Sequence, residues 1–313
     1  MSTDARTPQG SGDLGILIGF DGSEHARDAL LYAARAAQRA GTQLTVVNAY
    51  TIPPMVYGVP AEFSVEDSLE VNARTILDEA RELLDGYPGK VNYLIERGDA
   101  AGVMVGLSSQ AELAVVGARG RGGFVGRILG SVSSALPAHS HCLTVVVPSG
   151  YADDAPAGPE RFAPPQDDSP VVVGVDGSER SHMAALAGAK VATARSAPLV
   201  LSMTVPPPET FNPWYPGAGI NSEATMSRLQ ELENEIEEEA ARLRELFPSL
   251  HTTVRVELGD PVEALAEGSA SAQLTVVGTR GHGRVVSTLL GSVSRGVLLR
   301  AEGAVMVAPT PQD

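Results

Sequence analysis

Leu113-Ala-Val-Val-Gly-Ala-Arg-Gly120 is matched, 161 residues on, by Leu274-Thr-Val-Val-Gly-Thr-Arg-Gly281. Each is a short apolar run that ends on glycine and opens a glycine-rich loop, as a buried strand does where it hands over to a turn. Working outward, Leu129-Gly-Ser-Val-Ser133 returns at the same spacing as Leu290-Gly-Ser-Val-Ser294, and Gly98-Asp99 as Gly259-Asp260. Upstream, Gly19-Phe-Asp-Gly-Ser-Glu24 returns as Gly174-Val-Asp-Gly-Ser-Glu179, 155 residues on, so the second copy carries an insertion in its middle. One domain is therefore written twice. The length of 313 residues agrees, at roughly 150 residues per domain. Residues 1–13 read as a disordered N-terminus, 14–148 as the first domain, 149–169 as a flexible linker rich in Pro, Asp and Ala, and 170–309 as the second domain.

Within each copy short apolar runs alternate with helical patterns. In the first, strands are expected at Gly15–Phe20, Leu44–Ala49, Val91–Glu96, Leu113–Val116 and Leu143–Val147. Ser23 is placed to cap a helix that runs to Ala40 and stops at Gly41, and Asp99 to cap one that runs to Ala111. A helix at Val65–Leu84 and a short one from Ser131 complete the copy. In the second copy Asp260-Pro261 pairs an N-cap with a proline at the first helical position. The acidic run of its long helix, Glu231 to Glu239, is that helix's solvated face. Strands apolar along their whole length, alternating with helices, specify a doubly wound α/β domain: a five-stranded parallel sheet with helices on both faces. Ligands of such sheets bind where the strand order reverses, at the carboxyl ends of the strands.

Composition narrows the partners. A net charge of −15 opposes nucleic acid and anionic membrane surfaces. One cysteine, Cys142, excludes a disulfide framework within the chain. Without an N-terminal apolar run or a membrane-length apolar stretch, a cytoplasmic protein is the expectation.

The loop after the fourth strand has the skeleton glycine, two residues, glycine, nine residues, Gly-Ser: Gly117, Gly120 and Gly130-Ser131 in one copy, Gly278, Gly281 and Gly291-Ser292 in the other. Glycines let main-chain N–H groups turn onto a ligand, and Gly-Ser then opens a helix whose first N–H groups suit a phosphate. Two commoner phosphate loops fail on residues they need. The Gly89-Lys90 pair is followed by Val91 rather than Ser or Thr, and a dinucleotide fingerprint from Gly120 meets Val125 where it needs glycine. Arg119 recurs as Arg280, whereas Arg121 becomes His282 and Arg127 becomes Thr288, so Arg119 is the better candidate. His139, His141 and Cys142 give way to Arg300, Glu302 and Gly303 and are read as structural. The proline- and aromatic-containing stretches Ile52–Phe63 and Pro206–Ile220 suit either a lid over a ligand or packing against a neighbouring domain.

With these motifs in both halves, the chain resembles the tandem-domain universal stress proteins, in the subclass whose glycine motif binds ATP. The resemblance implies strand order 3-2-1-4-5, one ATP per domain, and Mg2+, where present, held through the phosphates. It implies that Gly19, Asp21 and Ala49 hold the adenine and ribose, that Gly117, Arg119 and Gly120 line the phosphates, and that Gly130, Ser131, Val132 and Ser133 grip them. The matching second set is Gly174, Asp176 and Thr204, then Gly278, Arg280 and Gly281, then Gly291, Ser292, Val293 and Ser294. No catalytic residue or metal ligand is assigned. The function implied is that of an ATP-binding regulator of the stress response with little or no turnover, controlling growth under stress. A slow or partner-activated ATPase and a nucleotide-free scaffold are the alternatives. The two copies are expected to pack on each other within one chain as a pseudo-two-fold dimer, with the fifth, edge strands (Leu143–Val147, Ala304–Ala308) as candidates for the contact. A further homodimer of tandem chains and an unidentified regulatory protein partner complete the expectation.

Overall fold

The computed structural model describes residues 13–52, 65–120, 128–207, 223–279 and 290–309. The chain divides into two units, Met1–Pro165 and Gln166–Asp313. The first holds β1 (Ile16–Gly19), α1 (Glu24–Ala40), β2 (Leu44–Tyr50), α2 (Val65–Leu83), β3 (Val91–Arg97), α3 (Ala100–Ser108), β4 (Leu113–Gly117), α4 (Ser131–His139) and β5 (Leu143–Val147). The second repeats the series as β6 (Val171–Gly174), α5 (Glu179–Arg195), β7 (Leu199–Val205), α6 (Glu223–Leu246), β8 (Thr252–Leu258), α7 (Pro261–Ser269), β9 (Leu274–Gly278), α8 (Ser292–Arg300) and β10 (Val305–Ala308).

In the first unit the strands lie in the order β3-β2-β1-β4-β5, and in the second β8-β7-β6-β9-β10. The pairs are parallel, with Ile18 opposite Val46 on one side and Val115 on the other. This is the 3-2-1-4-5 order expected. It follows from the sequence pattern: Leu17, Ile18, Val115 and Val145 have no accessible surface, which a strand achieves only when helices cover both faces. α1 lays Ala29, Ala33 and Ala37 on the sheet, each fully buried. Small residues on that stripe let the helix approach closely.

The capping expectations hold in detail. The Ser23 side chain accepts from the Ala26 N–H, and Gly41 ends α1 at φ 65°, a left-handed conformation that only glycine adopts without cost. Asp99 caps α3 and Asp260 caps α7. Two features differ from expectation. α3 stops at Ser108 rather than Ala111, because the Gln110 and Ala111 N–H groups bond back to Leu107 and Ser108 in a closing turn. The stretch after β5, read as flexible linker, instead places Phe162 at 1% exposure inside the first unit. Composition alone could not show that this one aromatic has a pocket waiting for it.

Candidate nucleotide site

β1 and β4 run side by side, and their neighbours diverge to β2 and β5. Their carboxyl ends therefore open a crevice at the point where the winding reverses. In the first unit this crevice is a cavity of 710 Å³. Its wall contains all ten residues named above for that domain: Gly19, Asp21, Ala49, Gly117, Arg119, Gly120, Gly130, Ser131, Val132 and Ser133. They come from three strand ends and one helix start, and the parallel register brings them together.

Local chemistry holds each part in place. Asp21 Oδ1 accepts from the Ser23 N–H at 3.0 Å and from the Ser23 hydroxyl at 2.6 Å. Ser23 in turn caps α1, so Asp21 is fastened to a helix start. Gly117 packs so tightly that an added Cβ would stand 2.4 Å from the His25 carbonyl oxygen of α1. A Cβ on Gly120 would stand 2.6 Å from Asp21 Oδ2, so the carboxylate faces the glycine loop. The Ala118 N–H donates to the Val147 carbonyl, and the Gly130 N–H to the Ala118 carbonyl, closing the loop onto its own start.

Ser133 plays a different part from the one expected. Its hydroxyl, in a residue 1% exposed, donates to the Ala118 carbonyl at 2.7 Å. The proton is committed to the loop, so Ser133 shapes the cradle through its side chain; Ser131, by contrast, is exposed. In the second unit the matching Ser294 hydroxyl also donates to the loop, but one residue earlier, to the Gly278 carbonyl at 2.6 Å.

The helix starts supply the electrostatics. α1, α3, α5 and α7 each carry a side-chain cap on their first N–H groups, from Ser23, Asp99, Ser178 and Asp260. α4 and α8 begin at Gly130 and Gly291 with no side-chain cap bond. Among the described residues no side chain caps their first N–H groups, where the positive end of the helix dipole lies. Arg119 lies on the same wall. The lining also includes apolar Val47, Ile76 and Met104 and polar Asn48 and Asn72.

Residue-by-residue inspection of the sequence missed part of this wall. Leu69, Asn72 and Ile76 come from α2, and Ala100 and Met104 from α3. Leu69, Ile76, Ala100 and Met104 belong to apolar helix faces that pattern would place on the core, Asn72 is a polar residue that pattern would leave in solvent, and only the fold puts them on the crevice wall. Met104 also touches Gly19, where an added Cβ would meet its Sδ at 3.3 Å; Leu265 stands in the same relation to Gly174.

In the second unit Asp176 repeats the Asp21 contacts, accepting from the Ser178 N–H at 3.0 Å and hydroxyl at 2.6 Å. The Gly291 N–H donates to the Thr279 carbonyl, as Gly130 does to Ala118. Gly278, Ser292 and Val293 follow at the end of β9 and the start of α8. Thr204, at the end of β7, has its hydroxyl buried and without a hydrogen-bond partner. Arg280 and Gly281 lie outside the described residues, as do Arg121, Arg127, His282, Thr288 and the two stretches considered as lids beyond Pro53 and Pro208.

The remaining candidates have structural explanations. The backbone N–H of His141 donates to the Ser108 hydroxyl, and Glu302 repeats that bond to Ser269. The repeated contact is main-chain, which explains why the side chains differ. Burial pushes the Cys142 thiol above its ordinary range, which keeps it protonated and unreactive. Among the described residues no three His, Cys, Asp or Glu side chains gather as a metal site, and no helix is long and apolar enough to cross a membrane.

Comparison with known proteins now carries weight. The sequence model of the universal stress protein family matches residues 15–148 and again 169–309. The chain belongs to the universal stress protein family. A universal stress protein of Mycobacterium tuberculosis is 32% identical over 305 residues, covering 96% of this chain and 97% of its own. A second from the same organism is 31% identical over 331 residues, with 96% of each covered. Among solved structures, a universal stress protein from Archaeoglobus fulgidus superposes with a TM-score of 0.65 at 19% identity, over 96% of this chain and 98% of its own. A functionally unknown protein from Pseudomonas aeruginosa does so at 0.56 and 14%, over 95% and 92%. The likeness to both is one of fold.

Proposed function

We propose that this universal stress protein binds one ATP in each domain and acts as a regulatory switch of the stress response, with little or no turnover. The observation that carries the reading is the pair of uncapped helix starts, α4 and α8, each preceded by the glycine loop. Four described helices cap their own N–H groups with a side chain; these two, among the described residues, do not. The cavity of the first unit, 710 Å³, falls within the range of about 300–1,000 Å³ typical of small-molecule sites. Its lining is mixed, with Arg119 and the α4 start beside apolar Val47, Ala49 and Met104 and polar Asn48 and Asn72, which suits a polyphosphate joined to a flat base with hydrogen-bonding edges.

The residues divide accordingly. Ser131, Val132 and Ser133 would present main-chain N–H groups to the phosphates, with Gly117, Arg119 and Gly120 lining their path. Asp21 would take ribose hydroxyls, and Gly19 and Ala49 the base. Gly278, Arg280, Gly281, Gly291, Ser292, Val293 and Ser294 would hold the second phosphates, with Gly174, Asp176 and Thr204 on the nucleoside. The Thr204 hydroxyl, one of eight such buried side-chain atoms without a partner among the described residues, would be available to the nucleoside there. Mg2+, where present, would ride on the phosphates. Asp21 is the one carboxylate among the described lining residues, and Ser23 already holds it. With no second carboxylate to orient water, hydrolysis would be slow.

The same reading has the protein in the cytoplasm, as a homodimer of tandem chains read by a regulatory partner. The test is the nucleotide released on denaturing freshly purified protein, quantified against protein and followed by titration. Near two ATP per chain is the expected result. Mostly ADP would favour the ATPase, and neither content nor binding would favour the scaffold.

A further inference from the structure

Asp28, Tyr32 and Arg35 lie four and three residues apart on one face of α1. Asp28 and Tyr32 have no counterpart in the second copy, where Met183 and Ala187 stand at the same places, and Arg35 is matched by Lys190, which is exposed. Asp28 is 5% exposed and Arg35 8%. Buried charges persist only where partners satisfy them, and these find theirs in the segment after β5. Asp28 accepts from the N–H groups of Gly150 at 3.0 Å and Ala152 at 2.9 Å. Arg35 donates to the Arg161 carbonyl at 2.8 Å and to the Tyr151 hydroxyl at 3.3 Å. The Tyr151 ring meets Tyr32 edge-on at 5.3 Å, and Phe162 meets Tyr87 in the same way. Residues 150–162 are thus a strap tied to the first domain at both ends.

The helix that holds the strap also walls the cleft. Ser23, bound to Asp21, caps it; its His25 carbonyl is what Gly117 packs against; Ala26 lines the cavity. A second route joins the two. The Ala118 N–H bonds the Val147 carbonyl, three residues before the strap's first anchor at Gly150. Farther along the chain, the Gln273 amide donates to the carbonyls of Asp167 and Ser169. With the strap docked, residues 163–166 alone lie between the two sets of anchors; released, the free chain begins near Ser149.

We propose that residues 150–162 are a latch whose docking on α1 is coupled to occupancy of the first cleft, so that bound nucleotide holds the strap down and an empty cleft lets it go. The proposal rests on the nucleotide reading above. Coupling of this kind is reciprocal: whatever factor ATP contributes to docking, docking contributes to ATP affinity. The experiment is hydrogen exchange on the full chain with and without saturating ATP, alongside calorimetric titration, for wild type, Tyr151→Ala and Arg35→Ala. Tyr151 lies in the strap, so its replacement removes strap contacts to Tyr32 and Arg35 without changing any residue of α1. Exchange across 149–162 is expected to slow at least about 5-fold with ATP, the lower end of ordinary coupling. Tyr151→Ala is expected to speed that exchange and to weaken ATP at the first cleft by a matching factor. Protection of 113–120 by ATP with no change at 149–162 would overturn the latch alone. Unchanged strap exchange in both variants would overturn its anchoring. Absence of any titratable binding would overturn the nucleotide reading and the coupling with it.

Discussion

Gly117 and Gly120 are both glycines for want of room, but what crowds them differs, and the difference is testable. A Cβ on Gly117 would meet the His25 carbonyl, a backbone atom of α1 that cannot move alone. Gly117→Ala is expected to cost about 1–3 kcal/mol of stability and to abolish binding at the first cleft. A Cβ on Gly120 would meet Asp21 Oδ2, the far end of a side chain. Gly120→Ala should therefore fold within about 0.5 kcal/mol of wild type yet bind nucleotide more weakly. Urea unfolding and titration of the two variants separate these outcomes; equal destabilisation would contradict the packing argument. At Thr204 the partnerless hydroxyl makes the opposite prediction. Thr204→Val should stabilise the ligand-free protein by about 1 kcal/mol while weakening ATP in the second domain, as measured by the same two methods.

For the elements, the telling feature is which helix starts are capped. Gly130 has φ −68° and ψ 168°, a conformation open to any residue, so its lack of a side chain is not demanded by the backbone. Gly130→Asp would supply a cap to α4 and set a carboxylate in the phosphate position. The expected result is an unchanged or slightly raised melting temperature, since Gly and Asp differ as caps by only a few tenths of a kcal/mol, with at least about tenfold weaker ATP binding, equivalent to 1.4 kcal/mol. A variant that bound ATP normally would remove the main support for the site. The strap's anchor at Tyr87 responds to pH. Burial pushes its phenol above the ordinary value, so the folded chain holds that proton more tightly than the unfolded one. Its contribution is present below the ordinary value of about 10 and is lost as pH rises through it toward the folded value. Tyr87→Phe should flatten that alkaline loss, read as the difference in urea midpoints between about pH 9 and 11.

Taken as a whole, the molecule is one nucleotide-sized design used twice with unequal detail. Ala49 faces the first cleft where Thr204 lies near the end of β7 in the second, and of the α1 residues that hold the strap Asp28 and Tyr32 occur in the first copy alone. A ligand that binds only the native state stabilises it by mass action, about 2.7 kcal/mol at a concentration 100 times its Kd. ATP at that excess should raise the melting transition by several degrees, and GTP or inorganic phosphate by much less. An equal rise with phosphate alone would mean that the apolar lining of the cleft contributes nothing. The net charge of −15 adds a check of its own: it repels a polyphosphate at long range, so association should quicken as salt screens the protein.

The repeat, the parallel sheet, the caps at Ser23 and Asp260 and the glycine-rich loop could be read from the chain by itself. Each rests on local rules: apolar runs make buried strands, small polar residues cap helices, and glycines mark where backbone must approach something; the individual cleft residues, Ala49 and Arg119 among them, came from the family resemblance. Tertiary structure decided what local rules cannot reach. It turned Leu69 and Met104, indistinguishable in pattern from core residues, and the exposed Asn72 toward the cleft. It spent the Ser133 hydroxyl on the loop carbonyl of Ala118. It also buried Phe162 and bonded Tyr151 and Gly150 to α1, giving partners to Asp28 and Arg35, charges that read as ordinary surface until a distant segment covers them. Burial and hydrogen-bond partnership between residues more than a hundred positions apart depend on how the whole domain closes, and no window of sequence contains both sides of such a contact.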